Sequence, residues 1–231
     1  MDKSAPVITF DGPSGSGKGT LSRSVAAKLG MHLLDSGALY RLLALSAHRE
    51  NLNPEREEDI AIAAQMAGQM DIEFRVVDSG DSHLTLLSGE DVSTAIRAEE
   101  IGNLASYFAA EPAIRKELLA LQRQFRKSPG LVADGRDMGT VVFTDAQLKI
   151  YVTASAQERA QRRLEQLSQS GVDAKIDKIY CEIVARDERD ESRTHSPLKP
   201  ADDAVVIDTT ELDVDATLAR IDILLQEKGL V

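Results

Sequence analysis

A glycine-rich segment near the N-terminus, GPSGSGKGT at residues 12–20, constrains the fold more than any other part of the sequence. The apolar run before it, at residues 5–10, predicts a buried parallel strand, and the helical spacing after it, at residues 19–30, predicts a helix. A glycine loop between a strand and a helix N-terminus lets backbone N–H groups approach phosphate oxygens, and Lys18 adds a positive charge. The segment therefore predicts a phosphate-binding loop made of Gly12, Pro13, Ser14, Gly15, Ser16, Gly17, Lys18, Gly19 and Thr20.

The loop departs in one place from the most common phosphate-loop pattern, G-x-x-x-x-G-K-[ST]. Gly19 follows Lys18 directly, and the hydroxyl comes one position late, at Thr20. A dinucleotide-binding loop is the rival interpretation, but counted from Gly15 its third glycine is replaced by Thr20. Because Gly19 offers no hydroxyl, we expect Mg²⁺ to be held by nucleotide oxygens and water, with a nearby carboxylate assisting. Thr20 would then donate to a phosphate.

Further apolar runs predict strands at residues 31–35, 131–134, 148–154 and 204–208. Helical patterns alternate with these runs, and they include residues 93–110, residues 155–171 with a capping box at Ser155 and Glu158, and residues 173–194. The chain therefore predicts an α/β fold with a five-stranded, doubly wound parallel sheet flanked by helices. Alternating patterns at residues 71–77 and 83–91, separated by the turn sequence DSGD, predict an antiparallel hairpin. We therefore expect a single domain with a core of residues 1–65 and 125–231, and an inserted small lobe of strands and helix at about residues 66–110.

Charge and composition restrict the classes of partner. The formal net charge of −11 argues against a general binder of nucleic acid or of anionic membranes, because both need clustered cations. The single cysteine excludes an internal disulfide, and the first residues resemble a strand more than a signal peptide. These observations predict a cytoplasmic protein, in which any local group of arginines would be informative.

Two carboxylates and an arginine follow the strand at residues 131–134. LVAD is an apolar run ending in Asp134, as in a Walker B element, which makes Asp134 a candidate for the Mg²⁺ shell. Arg136 and Asp137 come next, at the end of a strand where ligands bind in open α/β sheets. A solvated turn with an ion pair would explain this fragment equally well on its own.

Two helical segments carry arginines at spacings that place them on one face. One face carries Arg159, Arg162 and Arg163, and the other carries Arg186, Arg189, Asp190 and Arg193. A solvent face with salt bridges is the simpler interpretation of either segment alone. Arginine outnumbers lysine in both, however, which favours bidentate binding of phosphate.

Taken together, these segments resemble a bacterial cytidylate kinase (CMP kinase), a nucleoside monophosphate kinase of the P-loop class. The matching pieces are DGPSGSGKGT, LLDSGALYR, GEDVS.AIR, ADGRDMGTVVF, ERAQRR, RDERD and PL.PADDA, which cover most of the length. The resemblance implies a monomer that transfers the γ-phosphoryl group of ATP to CMP or dCMP with Mg²⁺, and that takes small-molecule substrates but neither nucleic acid nor membrane. It also implies that the GKGT form of the loop is the usual one in this class.

The resemblance assigns roles to residues by position. It implies cytosine contacts from Ser106, Arg115 and Asp137, and ribose contacts from Arg186 and Asp190. It implies acceptor-phosphate contacts from Ser36, Arg41, Arg136 and Arg193. It implies a catalytic set of Lys18, Asp134, Arg136, Arg159, Arg162 and Arg163, the last three on a helical lid at about residues 155–172. No direct protein ligand for the metal is expected, since Asp134 would act through water.

Two other functions compete with this one. A different P-loop kinase would act on another monophosphate, or on a hydroxyl such as that of shikimate. A non-enzymatic nucleotide switch is the second, but the N-K-x-D base-reading motif of GTPase switches is absent from the sequence. Asp137 favours cytosine, because a carboxylate accepts a hydrogen bond from the N4 amine and repels the carbonyl that uracil has there.

Overall fold

A parallel β-sheet positions the phosphate loop. The structure is a computed structural model that describes residues 5–76, 83–169 and 171–231. The chain divides into two units, Met1–Asp35 with Gln122–Val231, and Ser36–Leu121. The strands of the first unit are β1 (Val7–Asp11), β2 (His32–Asp35), β6 (Leu131–Gly135), β7 (Leu148–Thr153) and β8 (Val205–Asp208). Its helices are α1 (Lys18–Leu29), α6 (Ala156–Gln169), α7 (Ile176–Glu191) and α8 (Val214–Glu227).

The five strands lie in the order β2-β6-β1-β7-β8, and every pairing is parallel. This confirms the predicted five-stranded parallel sheet. The register sets Phe10 opposite Asp134, and Asp134 opposite Asp35 on the other side. Because parallel strands end at the same edge, three aspartates occupy the last two positions of β1, β2 and β6: Asp11, Asp35 and Asp134.

Apolar packing on the sheet explains why β1 can carry the loop rigidly. All five residues of β1 are buried, as expected for the central strand of a sheet covered on both faces. Phe10, Val25 and Ile221 belong to one buried cluster that joins β1, α1 and α8. Burying each large apolar side chain contributes about 1.5–3 kcal/mol, so the strand end is held firmly before the glycines begin.

The second unit combines helices with a small antiparallel sheet. Its elements are α2 (Ser36–Arg49), α3 (Glu57–Gln69), β3 (Ile72–Val76), β4 (His83–Leu87), β5 (Glu90–Asp91), α4 (Glu99–Phe108) and α5 (Pro112–Gln124). Strands β3 and β4 pair antiparallel with Ile72 opposite Leu87, so the predicted hairpin is confirmed. The DSGD turn that joins them lies outside the described residues. The expected lobe at residues 66–110 falls within this unit.

Two local predictions need correction. The helical pattern predicted over residues 93–110 is interrupted, because Ala98 adopts an extended ψ of 143° between a short 3₁₀ turn and α4. The charged helix predicted over residues 173–194 is shorter, at Ile176–Glu191. Within the described ranges, no helix combines the length and the apolar character that a membrane crossing requires.

Candidate functional site

The phosphate loop follows β1 through backbone conformations that only glycine tolerates. Gly12 has a φ of +145°, and a Cβ there would lie 1.9 Å from the carbonyl oxygen of Val152 on the neighbouring strand. Gly17 has a φ of +90° and is the N-cap of α1. The loop therefore passes close to β7. It connects the end of β1 to the N-terminus of α1, where the first N–H groups of the helix are free to bind a ligand.

Lys18 opens α1 and is buried beside the loop. Its Nζ donates a hydrogen bond to the carbonyl oxygen of Pro13 at 3.1 Å and lies 4.0 Å from Oδ1 of Asp134. Burial lowers the pKa of Lys18 below its ordinary value, and the charge of Arg136 lowers it further. A phosphate bound in the loop would add further negative charge beside this buried ammonium.

Asp134, at the end of β6, has an oxygen that no donor satisfies. Its Oδ1 is buried and accepts no hydrogen bond from any described residue. Burial raises the pKa of Asp134, while the charge of Lys18 lowers it. Its Oδ2 lies 3.2 Å from where a Cβ of Gly19 would stand, so the glycine lets α1 pass close to the carboxylate. An orphaned carboxylate oxygen beside a phosphate loop fits the water shell of Mg²⁺.

Two of the three predicted lid arginines, Arg159 and Arg162, lie close to the phosphate loop. Arg159 is buried and donates to the carbonyl oxygen of Ser14 at 3.2 Å and to both oxygens of Asp187, at 3.1 and 2.5 Å. These contacts tie α6 to the loop and to α7. The predicted capping box at the start of α6 is present in part, because the N–H of Glu158 donates to Oγ of Ser155.

Arg162 reaches the loop from the next turn of α6. Its guanidinium donates to Oε1 of Glu158 at 2.9 Å and to the carbonyl oxygen of Thr209 at 2.5 Å. Its Nη1 lies 3.9 Å from the position of a Cβ on Gly17. Arg163, on the same helix, is half-buried. Arg159 is thus held by buried hydrogen bonds to Ser14 and Asp187, whereas Arg162 lies at the edge of the loop.

A cluster of arginines surrounds one buried aspartate on α7. Asp190 is 1% exposed and accepts hydrogen bonds from Nε of Arg136 at 2.9 Å and from Nη2 of Arg193. The charges of Arg136, Arg193 and Arg186 lower the pKa of Asp190, although burial acts in the opposite direction. The structure therefore brings Arg136 together with residues from a second sequence segment, RDERDESR.

The predicted residues of the second unit lie on three of its helices. Ser36 is buried at the start of α2, and Nη1 of Arg41 donates to the carbonyl oxygen of Ile96 at 2.7 Å. Nη1 of Arg115, on α5, donates to the carbonyl oxygen of Ala109 at 2.9 Å.

Ser106 is buried on α4, and its Oγ has no hydrogen-bond partner among the described residues. Leaving a buried hydroxyl unsatisfied costs about 1–3 kcal/mol, which favours a ligand as its partner. Close packing also positions the neighbouring arginine, because a Cβ on Gly102 would lie 2.8 Å from the guanidinium of Arg41. The guanidinium of Arg115 lies 5.7 Å from the ring centre of Tyr40, within the range of a cation–π contact.

Sequence reasoning missed Asp11 and Asp187. Asp187 belongs to the segment RDERD, three residues before Asp190, but nothing in the spacing pairs it with Arg159. Asp11 directly precedes the glycine loop, and its role depends on residues about 127 positions later. Position next to a phosphate loop was the only signal that could have singled it out.

Known proteins match this chain over nearly its whole length. The family model described as cytidylate kinase matches residues 8–226. A cytidylate kinase of Shewanella frigidimarina is 51% identical over 221 residues, which is 96% of this chain and 95% of that protein. A cytidylate kinase of Pseudomonas syringae pv. tomato is 52% identical over 221 residues, with 96% and 95% covered. A cytidylate kinase of Aeromonas salmonicida is 51% identical, with 96% and 94% covered.

Proposed function

The chain belongs to the cytidylate kinase family, and we propose that it transfers the γ-phosphoryl group of ATP to CMP or dCMP, producing ADP and CDP or dCDP. The observation that carries this proposal is the arrangement at the carboxyl edge of the sheet. A glycine loop with buried Lys18 lies beside Asp134, and Arg136, two residues further along the chain, belongs to the cluster around Asp190. Such a site supplies positive charge for the phosphates of two nucleotides.

On the donor side, residues 12–20 bind the phosphates of ATP. Backbone N–H groups at the start of α1 face the phosphate oxygens, and Lys18 neutralises charge on the β- and γ-phosphates. Its lowered pKa supports this role, because a buried ammonium gains most from an anionic partner. Mg²⁺ would be held by phosphate oxygens and water, with Asp134 accepting from one of the waters, and it would supply charge neutralisation for the transferring group.

On the acceptor side, Arg136, Arg186, Asp190 and Arg193 in the first unit contact the phosphate and ribose of the monophosphate. In the second unit, Ser36 and Arg41 contact phosphate, and Ser106 and Arg115 contact cytosine. The orphaned hydroxyl of Ser106 supports a ligand-binding role. Asp137 is buried and accepts from the N4 amine of cytosine, which disfavours uracil.

The chemistry needs no general base. The second pKa of a phosphate monoester is about 6, so the attacking oxygen of CMP is already mostly anionic at neutral pH. Catalysis then consists of positioning both phosphates and stabilising the charge of the transferring group. Arg162 lies at the edge of the loop and would contact that group when the lid at residues 155–172 closes. Closure would also exclude water, which protects ATP from hydrolysis.

An ADP-release assay with CMP, dCMP, UMP, AMP and shikimate as acceptors tests the proposal. We expect turnover with CMP and dCMP, much slower turnover with UMP, and none with shikimate. The variant D137A should lose most of the preference for CMP over UMP. Turnover with AMP or shikimate alone would assign a different P-loop kinase, and no turnover with any acceptor would favour a nucleotide-binding module.

We also propose that the protein works as a cytoplasmic monomer without a nucleic-acid or membrane partner. The net charge of −11 supports this, because anionic polymers and lipid surfaces would be repelled. Sedimentation velocity at assay concentrations tests the monomer, and a dimer boundary would contradict it.

A further inference from the structure

The bend that carries Arg136 and Asp137 is closed at both ends by one residue, Asp11. Before the bend, the backbone of Asp11 is paired with Gly135 in the parallel ladder of β1 and β6. After the bend, the carboxylate of Asp11 accepts hydrogen bonds from the N–H of Met138 at 2.7 Å and from that of Gly139 at 2.8 Å. Both bonds span more than 120 residues of sequence.

The surroundings of Asp11 leave its side chain little room to move. The residue is 5% exposed. A Cβ on Gly139 would lie 2.9 Å from Oγ1 of Thr9 and 3.3 Å from Oδ2 of Asp11, so the turn is pressed against the strand. On its other side, Asp11 is followed by Gly12, which packs against the carbonyl oxygen of Val152. The carboxylate is thus confined between the phosphate loop and the turn.

The turn held by Asp11 determines where the two preceding side chains point. Residues Met138–Val142 form a single π-helical turn, and the N–H of Val142 donates to the carbonyl oxygen of Asp137 at 3.2 Å. Asp137 is buried with a φ of −143° and a ψ of 25°, so its side chain follows the orientation of this turn. Arg136 is restrained further by its bond to Asp190.

We propose that Asp11 is a positioning residue for acceptor recognition. Its carboxylate holds the bend at residues 136–137 in the conformation in which Asp137 contacts the base and Arg136 contacts the acceptor phosphate. This inference rests on the proposed function. It also makes the residue that ends β1 a link between the donor loop, which starts at Gly12, and the acceptor-binding turn.

The test is the variant D11N, which keeps the size of the side chain, assayed at pH 8 so that the carboxylate of the parent is ionised. The amide oxygen can accept from one N–H, but the amide NH₂ would face the other, so one of the two bonds is replaced by a clash of donors. The matched control is D213N, which makes the same change at a carboxylate that accepts the N–H of Ala216 at 2.7 Å, at the start of α8.

We expect the KM for CMP to rise between about ten- and a hundredfold in D11N, because displacing Asp137 would weaken its charged hydrogen bond to the base. The preference for CMP over UMP should fall, while the KM for ATP changes by less than about threefold. D213N should match the parent in all three measurements. A purely structural role would instead lower the amount of active enzyme without changing either KM or the base preference.

A second variant keeps the test decisive if D11N does not fold. In G139A the carboxylate remains, but the added methyl group pushes on it and on Thr9. The same rise in the KM for CMP and the same loss of base preference are expected. Parent-like constants and base preference in the folded variant would overturn the inference. If the parent enzyme does not phosphorylate CMP at all, the proposed function fails first, and the assay on the parent shows this separately.

Discussion

Replacing Asp190 by asparagine tests the charge balance of the arginine cluster most directly. Asp190 accepts one hydrogen bond from Arg136 and one from Arg193, and it is 1% exposed. The asparagine keeps the shape and one acceptor oxygen, but it removes the negative charge and turns an NH₂ group towards a guanidinium. The backbone bond from the N–H of Leu198 to the carbonyl oxygen of residue 190 is unaffected.

The magnitude follows from these contacts. A hydrogen bond to a charged group contributes about 1.5–3 kcal/mol, and D190N loses at least one such bond together with the charge. Breaking one partner of a buried ion pair costs about 3–5 kcal/mol. We therefore expect the free energy of unfolding to fall by about 3 kcal/mol at pH 7. With a urea m-value of about 1–3 kcal/mol/M, the midpoint should shift by roughly 1–3 M.

The assay is urea denaturation followed by circular dichroism, with D222N as the control. Asp222 pairs with Lys28 at 2.7 Å, and the two side chains are 36% and 51% exposed, so its replacement should cost less than about 1 kcal/mol. The reasoning is refuted if D190N loses no more stability than D222N.

The same comparison has a predicted pH dependence. The pKa of Asp190 is lowered in the folded protein, because the surrounding arginines outweigh the effect of burial. A group with a lowered pKa contributes its full stability above its ordinary value, which is 3.8, and loses it as the pH falls through the folded-state value. The difference between parent and D190N should therefore be equal at pH 5 and pH 7 and shrink only below about pH 4.

Three further predictions concern the loop, the lid and the strand end. G19A should change the unfolding free energy by less than about 1 kcal/mol, since the gain in helix propensity offsets the tight contact, but displacement of Asp134 should lower kcat about tenfold. R162A should lower kcat far more than it weakens ATP binding, because the guanidinium acts on the transferring group. For Asp11, burial raises the pKa from 3.8 to about 7, so the folded state retains a proton that the unfolded chain releases. The parent should therefore lose about 2–3 kcal/mol of stability relative to D11N between pH 5 and pH 8, measured by urea denaturation.

Each of these has a control and an outcome that contradicts it. G68A places a methyl group 3.1 Å from a carboxylate oxygen of Glu117 on a helix of the second unit, and it should leave kcat unchanged; an equal loss in both glycine variants would refute the role of Asp134. Q161A alters an exposed residue of the same helix as Arg162 and should be neutral. An unchanged kcat in R162A would place that arginine outside the closed site. Parallel pH profiles for the parent and D11N would show that Asp11 is ionised in both states.

Much of the fold was predictable because its signals are local. The apolar run before Gly12 and the helical spacing after Lys18 specify a strand, a loop and a helix within about thirty residues. The loop positions that need a positive φ are occupied by glycine, which is visible in the sequence. A side chain at Gly19, directly after Lys18, would press on Asp134.

A second group of predictions needed the assembled pattern. Arg136, Asp190 and Arg193 were each compatible with an ordinary solvated ion pair in the sequence alone. Helical spacing predicted the last two on one helical face, although α7 ends at Glu191, before Arg193. It could not show that one carboxylate is buried among the charges. The resemblance to cytidylate kinases had already implied that these three residues belong to one acceptor site.

What the sequence by itself determined is the chemistry available: a phosphate loop with Lys18, an arginine-rich pair of helices and an alternation of strands and helices that requires a parallel sheet. Only the tertiary structure determined which charged groups form ion pairs and which buried polar atoms are left without a hydrogen-bond partner. Asp11 meets the N–H groups of Met138 and Gly139 only because β1 and β6 are neighbours in the sheet. Strand order is a long-range property, and hydrogen bonds across it leave no periodic mark on the sequence, so the residue that holds the acceptor turn became visible only in the fold.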